Sequence, residues 1–303
     1  MIYRRLGRTG ETVSAIGLGG FHLGIPKDPG DAVRIVRSAI DRGITFLDNS
    51  WDYNLGESER RMGSALREGY RQRVFLMTKF DGRTRKATAE QIDESLRRLQ
   101  TDHVDLIQFH ENIRLEDPDR FFSSGGALEA VLDAKKAGKI RFIGFTGHKD
   151  PEIHLKMLAH NFPFDTVQMP LNCCDATFRS FETQVLPEAT RKGIAALGMK
   201  SLGGSGELVR HGVVTPEQGL RYAMSLPVAT TISGVDTMQV LDQNLKVAIN
   251  FQPLASNEMQ SLREQCRFLA SDGRYELFKV TTKYDGKVGR EQHHFPTVEE
   301  LPI

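Results

Sequence analysis

The sequence predicts an α/β fold, a (β/α)8 TIM barrel with an N-terminal hairpin and a C-terminal extension. Three observations point there. Eight apolar, β-prone runs recur down the chain, each followed by a stretch of helical periodicity, which is the count of a closed parallel barrel. The length of 303 residues suits one such barrel, typically ~250 residues plus insertions. Polar groups also gather where successive runs stop, at the carboxyl ends of strands, where ligands bind in parallel α/β folds.

Taken in order, residues 2–14 read as a short hairpin around the turn-favouring Arg8-Thr-Gly-Glu, placed to plug the bottom of a barrel. Ala15-Ile-Gly-Leu-Gly-Gly is a first strand opening into a glycine-rich lip. Asp31 to Arg42 carries Val33, Ile35, Val36, Ala39 and Ile40 at helical spacing, closed by Gly43. The unit then repeats. Strand 45–48 precedes a helix near 58–68, strand 74–79 a helix near 88–100, and strand 104–109 a helix near 126–137. Ile140-Arg-Phe-Ile-Gly-Phe leads to a helix opening at Pro151 with Asp150 as N-cap. Asp165-Thr-Val-Gln-Met precedes a helix near 178–192, and strands 194–199 and 228–233 precede helices near 216–225 and 237–249.

The competing architecture, a doubly wound open sheet, lacks its phosphate turn: Gly17-Leu-Gly-Gly has the wrong spacing and its helix starts about ten residues later. Residues 1–251 therefore form the barrel, and 252–303 a tail packed on it. Within the tail, Ser256 to Leu269 reads as an amphipathic helix, Tyr275 to Thr282 as an extended segment, and Lys283 to Ile303 as polar and turn-rich.

Forty basic against thirty-nine acidic residues give a net charge of +1, so the balance suggests neither a nucleic-acid nor an acidic-membrane partner. Cys173, Cys174 and Cys266 are too few for a disulfide framework, and the adjacent pair lacks metal-ligand spacing. No metal is expected. The N-terminus has no apolar core of a signal peptide, and no run of about 18 apolar residues occurs. A soluble cytoplasmic protein acting on a small molecule is the expectation.

The chemistry concentrates in three strand ends. Gly43-Ile-Thr-Phe-Leu-Asp-Asn-Ser-Trp-Asp-Tyr stops at Asp48 and places Tyr53 five residues on; Val74-Phe-Leu-Met-Thr stops at Lys79; Val104-Asp-Leu-Ile-Gln-Phe stops at His110. Reducing a carbonyl by hydride delivery builds negative charge on oxygen, where a proton must arrive. A phenol can supply it, but with a pKa of about 10 it needs a neighbouring cation. Lys79 is the candidate cation, Asp48 holds and orients it, and His110 can hydrogen-bond the same oxygen.

Asp48, Tyr53, Lys79 and His110, in that order at consecutive strand ends, resemble the tetrad of the aldo-keto reductase superfamily, and the resemblance covers roughly residues 1–251. It implies that Tyr53 is the general acid and that hydride comes from a nicotinamide cofactor, NADP(H) by family default or NAD(H). Gln168, with Thr146 and Gly147, is implied to meet the nicotinamide carboxamide; Gly20 and Phe21 form the lip; Lys200, Leu202 and Gly204 lie along the pyrophosphate; Gln243 and Asn244 take the adenine positions. Three departures from the family pattern stand out. Thr146-Gly147 replaces a usual Ser-Asn, Met199 replaces a Tyr that stacks on the nicotinamide, and the usual Lys and Arg grip on a 2′-phosphate falls at Gly234 and Val240, with Asp236 nearby. Preference for NADP(H) should therefore be weakened or reversed. With only Cys266 in the tail, the chain cannot carry the four-cysteine iron-sulfur module of some relatives.

Phe21, His22, Trp51, Phe80, Glu111 and His148 each flank a strand end and are the expected wall of the substrate pocket. Two other functions fit the same residues. Lys79 could form a Schiff base with Tyr53 as relay, although a carboxylate at Asp48 would keep it charged. A reductase-fold binding or regulatory protein with slow turnover would also keep the tetrad.

Overall fold

Successive side chains of a strand point to opposite faces, and here the two faces have separate partners. Phe46, Phe75, Met77, Leu106 and Leu197 share one apolar cluster, while their neighbours Leu47, Leu76, Ile107 and Ala196 belong to another. The first fills the barrel and the second faces the helices. The structure, a computed structural model, describes residues 1–292, 294, 296, 297 and 300.

The hairpin pairs β1 (Tyr3–Arg5) with β2 (Thr12–Ser14) antiparallel. Leu6 and Val13 are fully buried in the inner cluster, and Gly7 abuts Gly193 and Ala195 at the start of a strand. The hairpin thus plugs the amino-terminal end, as expected. Among the described residues, eight parallel strands close the barrel: β3 (Ile16–Gly19), β4 (Phe46–Asp48), β5 (Phe75–Phe80), β6 (Val104–Phe109), β7 (Ile140–Thr146), β8 (Thr166–Pro170), β9 (Ala195–Met199) and β10 (Thr230–Gly234). Each pairs with the next, and β10 closes on β3 with Thr231 opposite Ile16.

Around them run α1 (Pro29–Asp41), α2 (Glu57–Ala65), α3 (Arg85–Leu99), α4 (Asp117–Phe122), α5 (Ala127–Lys136), α6 (Pro151–Ala159), α7 (Phe181–Arg191), α8 (Glu207–Arg210), α9 (Pro216–Ser225) and α10 (Met238–Ile249). Their starts are chemically marked. Asp150 accepts from Glu152 N at 2.9 Å ahead of Pro151, and Thr215 and Gln218 form a reciprocal capping box, motifs worth about 1 kcal/mol each. On α1 the buried face is Ile35, Val36, Ala39 and Ile40, each large apolar side chain contributing roughly 1.5–3 kcal/mol. The short helices α4 and α8, too brief for a periodic signal, were not expected.

The tail holds α11 (Ser256–Ala270), α12 (Leu277–Val280) and α13 (Lys287–Gln292). Cys266 of α11 is buried against Cys173 and Cys174, the three sulfurs within 4.8 Å of one another. The extended segment expected over 275–282 is corrected: Leu277–Val280 is helical. Lys279 Nζ bonds Glu276 three residues earlier at 2.9 Å and Asp175 at 2.7 Å, all three fully buried, a spacing that suits a helical turn. Inside the stretch expected to be turn-rich, Lys287–Gln292 is helical; residues 293, 295, 298, 299 and 301–303 lie outside the described residues. No described helix is long and apolar enough to cross a membrane.

Candidate active site

Inward register carries the site. Continuing the parity of Phe46, Phe75, Met77, Leu106 and Leu197 past the apolar layer brings Asp48, Lys79, Gln108 with His110, and Met199 to the barrel axis. Gln168 and Thr146 follow the same rule, since Val167 and Phe145 beside them belong to the outer cluster. The apolar plug therefore ends in a polar floor.

On that floor the Lys79 ammonium is ion-paired with Asp48 and donates to Asn49 O at 2.8 Å and to Tyr53 Oη at 3.2 Å. An ammonium has three donors, and all three are used. The second Asp48 oxygen accepts from Gln168 Nε2 at 3.1 Å, so a buried pair that would otherwise be costly is hydrogen-bonded on both sides. Tyr53 is aimed by its own loop: Asn49 N and Trp51 N bond to Met77 O and Lys79 O at 3.0 Å each, extending the β4–β5 ladder beyond the strands. The chain then turns through Asn54 and Leu55 at φ 51° and 56°, left-handed conformations uncommon for such residues. Asn54 Nδ2 anchors the turn on Phe21 O and Ser58 Oγ.

Burial, followed by the charges of Asp48, Asp52, Glu111 and Asp81, pushes the Tyr53 phenol well above its usual pKa. Burial therefore outweighs the neighbouring Lys79 ammonium, which was expected to pull the phenol down. Tyr53 thus holds its proton at any physiological pH.

His110 Nδ1 lies 2.8 Å from Asp81 Oδ1 and 3.3 Å from Ser50 Oγ, while Ser50 Oγ donates to Asp52 Oδ1 at 2.6 Å. Burial pushes His110 down to about 3, so its ring is neutral, and pushes Asp81 up to about 6. Arg83 stitches the neighbouring strand ends together, donating to Asp81 O and His110 O at 2.8 Å and to Glu111 O at 2.6 Å. Glu111 sits at φ 41°, and its Oε2 accepts from Gly286 N of the tail at 2.5 Å.

These groups open into a cleft of about 630 Å³ at the carboxyl ends of the strands, within the range of small-molecule sites. Asp48, Tyr53, Lys79 and His110 line it together, with Thr146 and Gln168 beside them. Gly20, Phe21 and His22 form one edge, Met199, Lys200, Leu202 and Gly204 another, and Gly234 reaches it from β10. Of the expected substrate wall, Phe21, His22, Glu111 and His148 are in the lining.

Trp51 and Phe80 are corrected. Phe80 has the outward parity of Leu76 and packs on Phe109 and Phe121; the Trp51 indole turns away to donate to Glu94 at 2.7 Å beneath Arg98. Three expected cofactor positions also lie outside the lining. Gly147 is buried against Asn112 and His154, Asn244 donates to Ser233 Oγ at 3.1 Å, and Gln243 is exposed on α10, beyond Val240 where the lining stops.

Asp81, beneath the lining, and several lining residues escaped the sequence reading. Asp81 could have been found by parity, two residues after Lys79. Lys283, Tyr284, Asp285 and Gly286 of the tail left no such signal, yet they close one side of the cleft. Tyr284 Oη bonds Ser205 Oγ at 2.7 Å and Glu207 at 2.9 Å, its ring covering Gly204, and Asp285 pairs with Lys149 at 2.6 Å.

Known proteins resemble this chain in sequence and fold. The aldo/keto reductase family model matches residues 15–211. The aldo-keto reductase YhdN of Bacillus subtilis is 33% identical over 218 residues, 67% of this chain and 62% of that protein. The L-galactose dehydrogenase of Arabidopsis thaliana is 34% identical over 219 residues, 66% of this chain and 65% of that protein. The match spans less than two thirds of either relative's length. Among solved structures, the holo form of aldo-keto reductase AKR11C1 from Bacillus halodurans superposes with a TM-score of 0.73 at 25% identity, covering 88% of this chain and 96% of that one. A match running from the first barrel strand past the seventh, on a closed barrel of the same kind, leaves one assignment: the chain belongs to the aldo/keto reductase family.

Proposed function

We propose that this protein reduces an aldehyde or ketone to an alcohol, reversibly, with a nicotinamide dinucleotide as hydride partner and Tyr53 as proton donor. The observation that carries the reading is the Lys79 ammonium shared between Asp48 and the Tyr53 hydroxyl on the cleft floor. A phenol that keeps its proton until charge builds on a bound oxygen suits general-acid catalysis. As that charge grows, Lys79 stabilises the phenolate left behind.

The residues present fit such a cofactor. Gln168 Oε1 is buried on the floor without a hydrogen-bond partner, an acceptor suited to a carboxamide N–H, with Thr146 beside it. Met199 offers a thioether to an aromatic ring, and the glycine-rich turn from Lys200 to Gly206 suits a pyrophosphate. When bound, the reduced nicotinamide supplies the hydride. Gly234 and Val240, at the positions of the family's 2′-phosphate grip, with Asp236 nearby, favour a weak choice between NADPH and NADH.

The substrate side carries Asp52, Glu111, His148 and Asp285 around Tyr53. So many acceptors suit a hydroxylated carbonyl compound such as an aldose, in keeping with the sugar dehydrogenase among the relatives. A Schiff base at Lys79 is disfavoured because every ammonium donor is engaged, with Asp48, Asn49 O and the Tyr53 hydroxyl. Three buried free thiols fit a reducing compartment such as the cytoplasm.

The test is Tyr53→Phe assayed on a panel of aldoses and simple aldehydes. Turnover should fall on the order of 10²–10⁴-fold with dinucleotide affinity unchanged. Retained activity on a substrate the unaltered protein reduces would remove Tyr53 from the acid role, and absence of turnover by the unaltered protein on the whole panel would favour a non-catalytic binding protein.

A further inference from the structure

We propose that Asp81 is a positioning residue that decides whether His110 meets the substrate oxygen as a hydrogen-bond donor or acceptor, and so which of carbonyl and alcohol the site prefers. The inference rests on the reductase reading above and concerns the same cleft.

The geometry leaves few options. Asp81 Oδ1 is 2.8 Å from His110 Nδ1, Asp81 is buried, and its backbone N–H is tied down by Gln91 Oε1 at 2.8 Å. His110 lines the cleft, and its Nε2 has no hydrogen-bond partner among the described residues. Whatever Nε2 presents is therefore presented to the ligand. Ser50, the other group near Nδ1, has spent its one proton on Asp52 at 2.6 Å, so it faces Nδ1 as an acceptor.

Proton counting then fixes the state of Nε2. With one proton in the Asp81–His110 pair, the carboxylate draws it onto Nδ1, leaving a bare lone pair on Nε2 that can only accept. With two protons, the pair is either a carboxylic acid bonded to Nδ1 with N–H at Nε2, or a carboxylate beside an imidazolium. Both put N–H on Nε2. A donor there suits a carbonyl oxygen, which can only accept; a lone pair suits the hydroxyl of an alcohol, which can donate.

The surroundings set where the second proton is lost. Asp48 and Asp52 favour the doubly protonated pair, Asp52 lying 3.8 Å from Nδ1; Lys79 and Arg83 oppose it. Burial pushes the Glu111 carboxyl up and the His148 ring down, each toward its neutral form. Burial holds Asp81 at about 6 and His110 at about 3, so Asp81 is the group that takes the extra proton. The sign follows: below about 6 the cleft face of His110 donates, and above it that face accepts.

The experiment reads the ring directly. Histidine labelled with nitrogen-15 is observed by NMR between pH 5 and 8 in the whole chain, and His110 is identified among the nine histidines as the signal lost in His110→Gln. At pH 8, Nδ1 should be protonated and Nε2 bare, with Nε2 gaining its proton as pH falls through about 6. In Asp81→Asn, checked for folding by circular dichroism, that transition should vanish. A protonated Nε2 in the unaltered protein at pH 8 overturns the proposal even if no variant folds. A transition that survives in Asp81→Asn, or disappears only in Asp52→Asn, overturns it too.

None of this requires turnover, so a failed reductase assay and a failed tautomer assignment are separate results. Where a substrate is in hand, KM for the carbonyl should rise about ten-fold from pH 5 to 8, the value of one hydrogen bond, with kcat much less affected. Asp81→Asn should flatten that dependence; a dependence unchanged in the variant counts against the proposal.

Discussion

Cofactor choice is the property on which the mouth of the cleft speaks most directly. A basic side chain could in principle be grafted at either of two positions, and the structure selects between them. A Cβ at Gly234 would lie 2.0 Å from His22 Nδ1 and 2.3 Å from its Cε1, so a lysine there must displace His22 from the lip. Val240 is half-buried, in the first turn of α10 with its N–H capped by Thr237 Oγ1 at 3.2 Å, and it lines the cleft. Val240→Arg is therefore the clean perturbation. A charge-assisted contact to a 2′-phosphate contributes roughly 1.5–3 kcal/mol, equivalent to about 10- to 150-fold in affinity. The site faces water and is screened by salt, so the lower end applies: about ten-fold tighter NADPH with NADH unchanged. Asp236→Asn, which removes one partly exposed charge from the same lip, should add less than about 1 kcal/mol. The assay is titration of nicotinamide fluorescence with NADPH and NADH at one ionic strength, repeated at high salt, where the gain should shrink. If the unaltered protein already prefers NADPH a thousand-fold, or if Val240→Arg leaves the ratio of dissociation constants unmoved, the phosphate is held elsewhere, with Lys283 of the tail the next candidate.

Two other outcomes are expected. Lys79→Met should abolish reduction while Tyr53 keeps its proton, and the basic limb of any residual activity should move to higher pH, because the phenol loses the cation that donates to it; Asp48→Asn, which removes a carboxylate that pushes the phenol up, should move that limb to lower pH, and unchanged profiles in both would mean that the three side chains do not act together. Lys279→Met leaves Glu276 and Asp175 buried without their cation and should cost roughly 3–5 kcal/mol in urea unfolding at pH 8. Glu276 is pushed up to about 7 by burial, so the folded protein binds a proton there that the unfolded chain releases near 4.5, and stability should decline as pH rises from about 4.5 to 7. The penalty of Lys279→Met should accordingly be smaller at pH 5.5 than at pH 8; an equal penalty at both would contradict it.

Most of the floor was legible because strand parity is simple. Asp48, Lys79 and His110 each lie an even number of residues beyond an inward apolar side chain, and the runs end abruptly enough to be seen in sequence. The same rule, had it been applied to the flanks, would have excluded Phe80, an odd step from Lys79 and so committed to the helices. Trp51 obeys no strand parity, being already in the turn, and only the reach to Glu94 decides where its indole goes. The tail resisted for another reason. The Lys279 ammonium in its helical turn at Leu277–Val280 is paired with Asp175, a residue about a hundred positions earlier, and no local pattern in Tyr275 to Thr282 reports that partner. Val240, by contrast, was placed at the cleft from sequence, while Asn244, one helical turn further along α10, is held back by Ser233.

The wall formed by Lys283 to Gly286 also has a place in time. The polar floor is complete once β10 has been made, but the segment that closes its side lies roughly 50 residues later, which at about 5–20 residues per second is an interval of roughly 3–10 s on the ribosome. Through that interval Glu111 lacks the Gly286 N–H, and the turn from Lys200 to Gly206 lacks the Tyr284 hydroxyl that fastens it. A nascent chain that has reached β10 thus still lacks one side of its cleft. Its last acquired part is the wall supplied by the tail.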